Sequence, residues 1–244
     1  MDWHLFYSIG CNFYRVWSMK TVVLSLGGSL IVPGEIYNGF LLKFKKSIIN
    51  FVNLGNRVIV VCGGGKTCRK YNDAAKSIVN PSNEDLDKLG IKATELNAEL
   101  LRVIFGKEAY NSVVQNYNKK NIKFKILLSC GYLPGTSSDY DAVMLAKNYK
   151  ADCVANLTNV DYIYDKDPKK YPDAKKLENI DWKTMQKIVG TEWTACLNVP
   201  FDPIATKIAG KLGLKVAFLN GKNISNLDDF LNGKEFVGDR KSVV

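Results

Sequence analysis

The sequence predicts an α/β fold in which a mainly parallel central sheet carries helices on both faces. Three observations favour this class. Short apolar stretches rich in Val, Ile and Leu alternate with longer stretches of helical periodicity. Glycine-rich segments follow the first two apolar stretches, as is common where a strand turns into a helix. Of the 244 residues, 46% are hydrophobic, which is enough for a large core in one domain.

Five strands and six helices are predicted in alternation. The strands are the short apolar runs at 22–26, 58–61, 124–128, 152–155 and 215–219. The helices are the stretches in which apolar residues recur at spacings of three and four, at 40–53, 66–78, 86–104, 141–149, 182–189 and 203–212. The last helix has Asp202 as its predicted N-cap and Pro203 in its first turn. Parallel strands joined by crossover helices produce this alternation.

Residues 19–244 are predicted to form a single domain, because no repeat, low-complexity segment or linker interrupts them. Residues 1–18 differ in character: they begin with an aromatic stretch, and a second methionine, Met19, stands directly before the first strand. We interpret them as an extension from an upstream start site. Asp2 and His4 break the apolar stretch that a secretory signal requires. No apolar run is long enough to span a bilayer.

The cysteines predict a reduced, cytoplasmic protein. They show neither Cys-x-x-Cys pairs nor metal-ligand spacing, and they stand at Cys11, Cys62, Cys68, Cys130, Cys153 and Cys196. The formal net charge of +10 weakly indicates an anionic partner. Its lysines are scattered along the chain, whereas nucleic-acid sites group Arg and Lys, so a nucleic-acid partner is not expected.

Two glycine-rich strand ends suggest a site for anionic groups. The first strand ends in Gly-Gly-Ser at 27–29, and the second ends in Gly-Gly-Gly-Lys at 63–66, where a helix begins. Glycines let a backbone approach a ligand closely, and a helix N-terminus attracts negative charge. Neither well-known phosphate motif fits, because Val60 occupies a P-loop glycine position and Cys68 the third glycine position of the dinucleotide fingerprint. Tight turns are the alternative interpretation.

Two further loops carry polar and aromatic side chains. The loop at 131–141 follows the third strand and places three hydroxyl residues after a Pro-Gly turn, where they can cap a helix or hold a phosphate. The loop at 157–168 follows the fourth strand and holds three carboxylates, an amide, a hydroxyl and two tyrosines. Such groups can bind a purine edge, a ribose or a base, although Asn, Asp and Pro also form ordinary turns. Ligands of open α/β sheets bind at the carboxyl ends of strands, which is where these loops lie.

The order of these motifs resembles the amino-acid kinase superfamily. After the two glycine-rich loops comes a Gly/Thr/Ser loop leading into Asp-Ala-Val at 141–143, then Thr-Asn-Val-Asp-x-x-Tyr-x-x-Asp-Pro at 158–168. Within the superfamily, the chain is most similar to the UMP kinases of the archaeal type, from about residue 19 to the C-terminus. The resemblance implies a three-layer amino-acid kinase-like sandwich. It also implies transfer of the γ-phosphoryl group of ATP to UMP, giving UDP, with Mg²⁺ carried by ATP.

The resemblance further implies roles for individual residues. Lys207 matches a lysine that neutralises the transferring phosphoryl group. Asp141 matches an aspartate that orients this lysine, and Ser29 matches a residue that lies along the transferring phosphates. The residues implied in ATP binding are Gly27, Gly28, Gly65, Arg69, Thr158, Asn159, Tyr164 and Asp167. Those implied in UMP binding are Gly64, Asp87, Tyr132, Leu133, Pro134, Gly135, Thr136, Ser137 and Ser138.

Three positions depart from the family pattern. Ser25 stands where many superfamily members carry lysine. The loop before Asp141 is interpreted as two residues longer, which leaves the register of 136–140 open. Glu192 and Trp193 stand where relatives have smaller residues.

Other functions are compatible with the same fold. One is a kinase for another small acid or phosphate, such as acetylglutamate or isopentenyl phosphate. Another is a non-catalytic storage or nucleotide-sensing protein. Asp87 favours a nucleotide acceptor, because a carboxylate suits a ribose and would repel an acidic metabolite. Relatives of this type form hexamers, so a homo-oligomer is expected, with no membrane partner.

Overall fold

Eight strands are present in the computed structural model, which describes residues 19–166, 171–177, 180–192 and 199–241. They are β1 (Thr21–Leu26), β2 (Arg57–Cys62), β3 (Ile126–Ser129), β4 (Cys153–Thr158), β5 (Ile163–Tyr164), β6 (Lys176–Leu177), β7 (Val216–Asn220) and β8 (Asp239–Lys241). The helices are α1 (Gly28–Ile31), α2 (Asn38–Asn53), α3 (Gly65–Ile78), α4 (Asn83–Phe105), α5 (Ser138–Tyr149), α6 (Trp182–Val189), α7 (Pro203–Leu212) and α8 (Ile224–Leu231).

The main sheet has the strand order β3-β2-β1-β4-β7-β8. The first five of these strands are parallel, and β8 joins β7 in the antiparallel direction at the edge. Strands β5 and β6 form a separate antiparallel pair. The predicted α/β class with a mainly parallel sheet is therefore confirmed.

Helices cover both faces of the sheet, and alternate strand residues point to opposite sides. On β1, Leu24 belongs to one core cluster with α2, α4 and α8, whereas Val23 belongs to the other with α5, α6 and α7. Phe44 on α2 and Phe201 before α7 are almost completely buried in the two clusters. Full burial of one such side chain stabilises the fold by about 1.5–3 kcal/mol. The two cores hold the carboxyl ends of the central strands in fixed positions.

All the predicted strands and helices are present, and the differences lie at their ends. Strand β4 continues to Thr158 rather than ending at residue 155. Helix α5 begins at Ser138, three residues before the predicted start, because Ser137 caps it. The earlier start changes which acidic side chain lies at the beginning of this helix.

Several short elements were not predicted. Helix α1 has four residues, and α8 has eight residues with Asn223 as its N-cap. Strand β8 has three residues, and β5 and β6 have two each. Elements of this length carry too few residues for a clear periodicity.

Within the described ranges, no helix is both long and apolar enough to cross a bilayer. Cys62, Cys130 and Cys153 are free thiols. The residues interpreted as a start-site extension, 1–18, lie outside the described part of the chain.

Candidate functional site

A cavity of about 550 Å³ opens at the carboxyl ends of β1, β2 and β4. From β1 the sheet continues through β2 and β3 on one side, and through β4 and β7 on the other. The order of the strands therefore reverses between β1 and β4, and ligands of open α/β sheets bind at such a reversal. At this reversal the loop after β1 is hydrogen-bonded to β4, because Gly27 N–H donates to the Leu157 carbonyl at 3.0 Å.

Glycines let the loops after β1 and β2 pack directly against each other. A Cβ on Gly28 would lie 2.1 Å from the Gly65 nitrogen, and a Cβ on Gly65 would lie 2.3 Å from the Gly28 oxygen. Gly65 also has a φ of +62°, which side chains disfavour. Both loops line the cavity. The two interpretations of these loops are thus compatible. The glycines are needed for the close packing of the turns, and the backbone of both loops also lines the cavity.

Helix α3 begins in the cavity wall without a side-chain cap. Its N-cap is Gly64, and its first turn contains no acidic residue. The N-terminus of a helix carries a partial positive charge that attracts anions. Arg69, one turn further along α3, is the only cationic side chain among the described lining residues. This corner of the cavity is suited to a phosphate group.

The opposite wall carries a carboxylate held by residues from three elements. Ser25 on β1 donates its hydroxyl proton to Asp139 at 2.7 Å, and Asn156 on β4 donates to the same oxygen at 3.4 Å. Asp139 lies in the first turn of α5, where Ser137 Oγ accepts from its backbone N–H at 3.1 Å. All four residues line the cavity.

Burial raises the pKa of Asp139 from its usual value of 3.8 to about 7. This value already includes two smaller effects: the hydrogen bond from Ser25 lowers the pKa, and the negative charge of Asp202 raises it. Asp202 is itself the N-cap of α7, and its carboxylate accepts from Ile204 N–H at 2.6 Å and Ala205 N–H at 2.8 Å. Asp139 therefore gains its negative charge near neutral pH, in the wall of the same cavity that Arg69 and the start of α3 line.

We expect Ser25→Ala to shift the pH dependence of activity upward. The hydroxyl of Ser25 stabilises the ionised carboxylate of Asp139, so removing it raises the pKa of that group. The measurement is kcat/KM from about pH 5.5 to pH 9, which reports on the ionisation of the free enzyme. The ionisation of the substrates is the same for both enzymes, so it cancels in the comparison. An unchanged acidic limb would show that Asp139 does not control this profile.

Asp141, which the family resemblance places near the transferring phosphates, is not among the residues that line the cavity. Because α5 begins at Ser138, Asp141 lies two residues beyond Asp139, about 200° further round the helix. Its side chain is 0% exposed and is not among the residues that line the cavity. Burial raises the pKa of Asp141 to about 8, and the charges of Asp202 and Asp139 raise it further. The residue at the helix start that faces the cavity is Asp139.

The predicted acceptor loop, 132–138, reaches the cavity only at its end. Ser137 and Ser138 line the cavity, whereas the five residues before them do not. Asp87 on α4 accepts a hydrogen bond from Gly135 N–H at 2.7 Å, which joins the loop to that helix. The ring of Tyr132 packs edge-on against that of Tyr117, with 5.3 Å between the centroids. This part of the predicted site therefore forms a wall beside the cavity.

Some of the predicted site residues line the cavity and others do not. The structure brings ten residues of the prediction together around the cavity, namely Gly27, Gly28, Ser29, Gly64, Gly65, Arg69, Ser137, Ser138, Thr158 and Asn159. Tyr164 and Lys207 are not among the lining residues, and Lys207 is exposed on α7. Asp167 lies outside the described residues.

Sequence analysis missed several lining residues. Ser25 was noted only as a departure from the family pattern, and Asp202 only as a helix cap. Gly63, Asp139 and Leu157 were noted only as members of the candidate loops at 63–66, 131–141 and 157–168. The lining residues that sequence analysis did not indicate are Cys68, Asn156, Val199 and Pro200. Asn156 had a weak signal, because an amide in a buried strand requires polar partners.

No group of three or more His, Cys, Asp or Glu side chains in the described ranges is arranged to hold a metal ion. The cavity offers helix N-termini, backbone N–H groups, Arg69 and the Asp139 carboxylate.

Comparison with known proteins agrees with this arrangement. The model of the Amino acid kinase family matches residues 20–220. A uridylate kinase of Methanospirillum hungatei is 34% identical over 224 residues, which is 90% of this chain and 94% of that protein. A uridylate kinase of Sulfurisphaera tokodaii is also 34% identical, over 88% of this chain and 96% of that protein.

Solved structures show the same fold. The crystal structure of a uridylate kinase from Archaeoglobus fulgidus matches with a TM-score of 0.76 and 31% identity, covering 92% of this chain and all of that one. A UMP kinase from Bacillus anthracis matches with a TM-score of 0.71 over 91% of this chain and 96% of that one, at 19% identity, which supports the fold alone.

Proposed function

The chain belongs to the amino acid kinase family, and we propose that it catalyses transfer of the γ-phosphoryl group of ATP to UMP, forming UDP. The observation that carries this proposal is the convergence of two glycine-rich loops and the uncapped N-terminus of α3 on one cavity. The similarity to archaeal uridylate kinases supports UMP as the acceptor.

The chain's own groups can supply the positioning that this reaction requires. Phosphoryl transfer depends on alignment of the two substrates and on stabilisation of negative charge, with little covalent chemistry for the protein to perform. The acceptor is an ionised phosphate, so no general base is needed. Backbone N–H groups at the ends of β1 and β2, the N-terminus of α3 and Arg69 face the place where the phosphates would meet. Mg²⁺ would enter with ATP and neutralise its phosphates.

The two nucleotides are assigned to opposite sides of the cavity. ATP would lie against Thr158 and Asn159 at the end of β4, with its adenosine toward Tyr164. UMP would lie against Ser137 and the loop that Asp87 joins to α4. The hydrogen bond from Gly135 N–H occupies one Asp87 oxygen, Oδ2. The carboxylate can still accept a hydrogen bond from a ribose through its other oxygen.

The direct test is an assay of the purified protein with ATP, Mg²⁺ and each nucleoside monophosphate in turn. UMP should give the highest kcat/KM, with ADP and UDP as products in equal amounts. Equilibrium binding of labelled UMP is the companion measurement. Turnover of a different acceptor without turnover of UMP would exclude the proposal. Binding of ATP without UMP binding or phosphoryl transfer would favour a storage or sensing function.

A cytoplasmic homo-oligomer, a hexamer by resemblance, is part of the same proposal. Several exposed apolar side chains on helices support it, including Leu42 on α2, Ile78 on α3, and Leu96 and Val103 on α4. Leu96 and Val103 are seven residues apart and so share one face of α4, and an exposed apolar helix face can pack against another subunit. Light scattering at micromolar concentration tests the proposal, and an active enzyme of monomer mass would contradict it.

A further inference from the structure

The segment between β4 and β5 leads from the cavity wall to Tyr164. It begins at Thr158 and Asn159, which line the cavity, and ends where β5 starts at Ile163. Its position therefore decides where the proposed adenosine contacts lie. The backbone conformation of a segment without regular structure depends on the hydrogen bonds that hold it.

The near end of this segment is tied to the end of β7. Gly221 N–H donates to the Thr158 carbonyl at 2.8 Å. The side chain of Asn220 donates to the carboxylate of Asp161 at 3.1 Å. Thr158 Oγ1 accepts from Val160 N–H at 3.2 Å within the segment itself.

The far end is tied to β8. Ile163 N–H donates to Oδ2 of Asp239 at 2.7 Å, across 76 positions of the sequence. Asp239 is 0% exposed. A buried carboxylate is costly unless it is hydrogen-bonded, and a bond from a backbone N–H to a charged oxygen is among the stronger kinds. The contact therefore fixes the start of β5 relative to the edge of the main sheet.

The residue before Asp239 makes this approach possible. Gly238 has a φ of +149°, and a Cβ at that position would lie 2.2 Å from the Phe218 carbonyl oxygen. Strand β8 can pair closely with β7 because this side chain is absent. Asp239 is then opposite Phe218 in the register. The close pairing of β8 with β7 thus sets the position of the Asp239 carboxylate.

We propose that Asp239 is a positioning residue for the donor nucleotide. It acts through Ile163 N–H and holds the segment 159–164 in the conformation that receives ATP. The inference rests on the proposed function in one respect, namely that the segment 159–164 binds ATP. It predicts a defect confined to ATP binding, whereas a purely structural residue would affect both substrates and the stability of the fold alike.

The experiment is a titration with a fluorescent ATP analogue, together with the KM values for ATP and UMP. Asp239→Ala should weaken analogue binding and raise the ATP KM by about tenfold, the scale of one lost hydrogen bond to a charged group. The UMP KM and kcat should change by less than about threefold. Asp239→Asn keeps the length of the side chain and an acceptor oxygen, so it should recover most of the affinity.

Asp228→Ala is the matched control. The carboxylate of Asp228 on α8 accepts a hydrogen bond from the Ser47 hydroxyl on α2, and among the described residues no hydrogen bond joins it to the segment 159–164. This variant should leave both KM values unchanged. Equal losses for ATP and UMP in Asp239→Ala, or normal ATP binding by a folded Asp239→Ala, would overturn the inference.

Hydrogen exchange of the wild-type protein provides a test that requires no variant. The amide of Ile163 should be protected without nucleotide, as slowly exchanging as the strand amides nearby, and rapid exchange would overturn the inference. The two proposals fail separately. If ATP binding depended on Asp239 but UMP were not phosphorylated, UMP would be excluded as the acceptor. The role of Asp239 in positioning ATP would still hold.

Discussion

Asp139→Asn is expected to lower kcat by about a hundredfold or more, with smaller changes in the KM values. A carboxylate in the wall of a phosphate-binding cavity would repel the substrates unless it faces a cation. We propose that this cation is the magnesium of MgATP or the ammonium of a lysine. Asn keeps the shape and the hydrogen-bond acceptor for Ser25 but removes the charge. Activity of the variant at pH 8, where wild-type Asp139 is ionised, gives the clearest comparison.

The same substitution should stabilise the folded protein, and increasingly so as the pH rises from about 4 to 8. The pKa of Asp139 is about 7 in the folded state and 3.8 in a free side chain. The folded state therefore binds more protons in this range, and wild-type stability falls as the pH rises through 7. Asn never ionises and avoids this loss. Part of the side chain is accessible to solvent, so the gain is on the order of 1 kcal/mol, or about 2–4 °C in Tm.

Asp141→Asn, assayed at pH 7, is the control for the activity measurement. Asp141 lies on the same helix and is fully buried, and its pKa of about 8 keeps it largely neutral at pH 7. Replacing a neutral carboxyl group by an amide of the same shape should leave kcat within about threefold of wild type. If Asp141→Asn lost as much activity as Asp139→Asn, the original assignment of Asp141 would be restored.

The sequence predicts those parts of the site whose residues lie next to recognisable strands. Glycines after β1 and β2 and the polar residues at the end of β4 stand next to apolar runs, so the strand ends could be located. The contact between Ser25 and Asp139 spans 114 positions, and no local pattern encodes it. Asp141 was named from the family resemblance alone, and the place of Asp139 in the cavity wall depends on where α5 begins, three residues before the predicted start.

The edge of the sheet could not be predicted for a related reason. Strand β8 has three residues, and its pairing with β7 depends on the absence of a side chain at Gly238. A single glycine near the end of a chain predicts a turn as readily as a close strand contact. The hydrogen bond from Ile163 N–H to Asp239 is visible only once the fold brings the two residues together.

The geometry of α7 favours Lys207 over Lys211 as the lysine that meets the transferring phosphoryl group. Asp202, the N-cap of α7, lies in the cavity wall. Lys207 is five residues along the helix, about 7.5 Å from the N-cap, whereas Lys211 is about 13.5 Å away. Both side chains are exposed and share one face of the helix. Helical side chains lean toward the N-terminus, so an extended Lys207 reaches closer than Lys211 to the end of α7 that borders the cavity.

Lys207→Ala should therefore reduce kcat by roughly a hundredfold or more, because its ammonium would neutralise charge that develops during transfer. The KM values should change less, since the contact would be strongest in the transition state. Lys211→Ala removes the same charge from the same face of α7 and should keep nearly full activity. Steady-state kinetics of the two variants decide the matter. Equal losses would indicate a general effect of positive charge on α7, and two fully active variants would exclude Lys207 from catalysis.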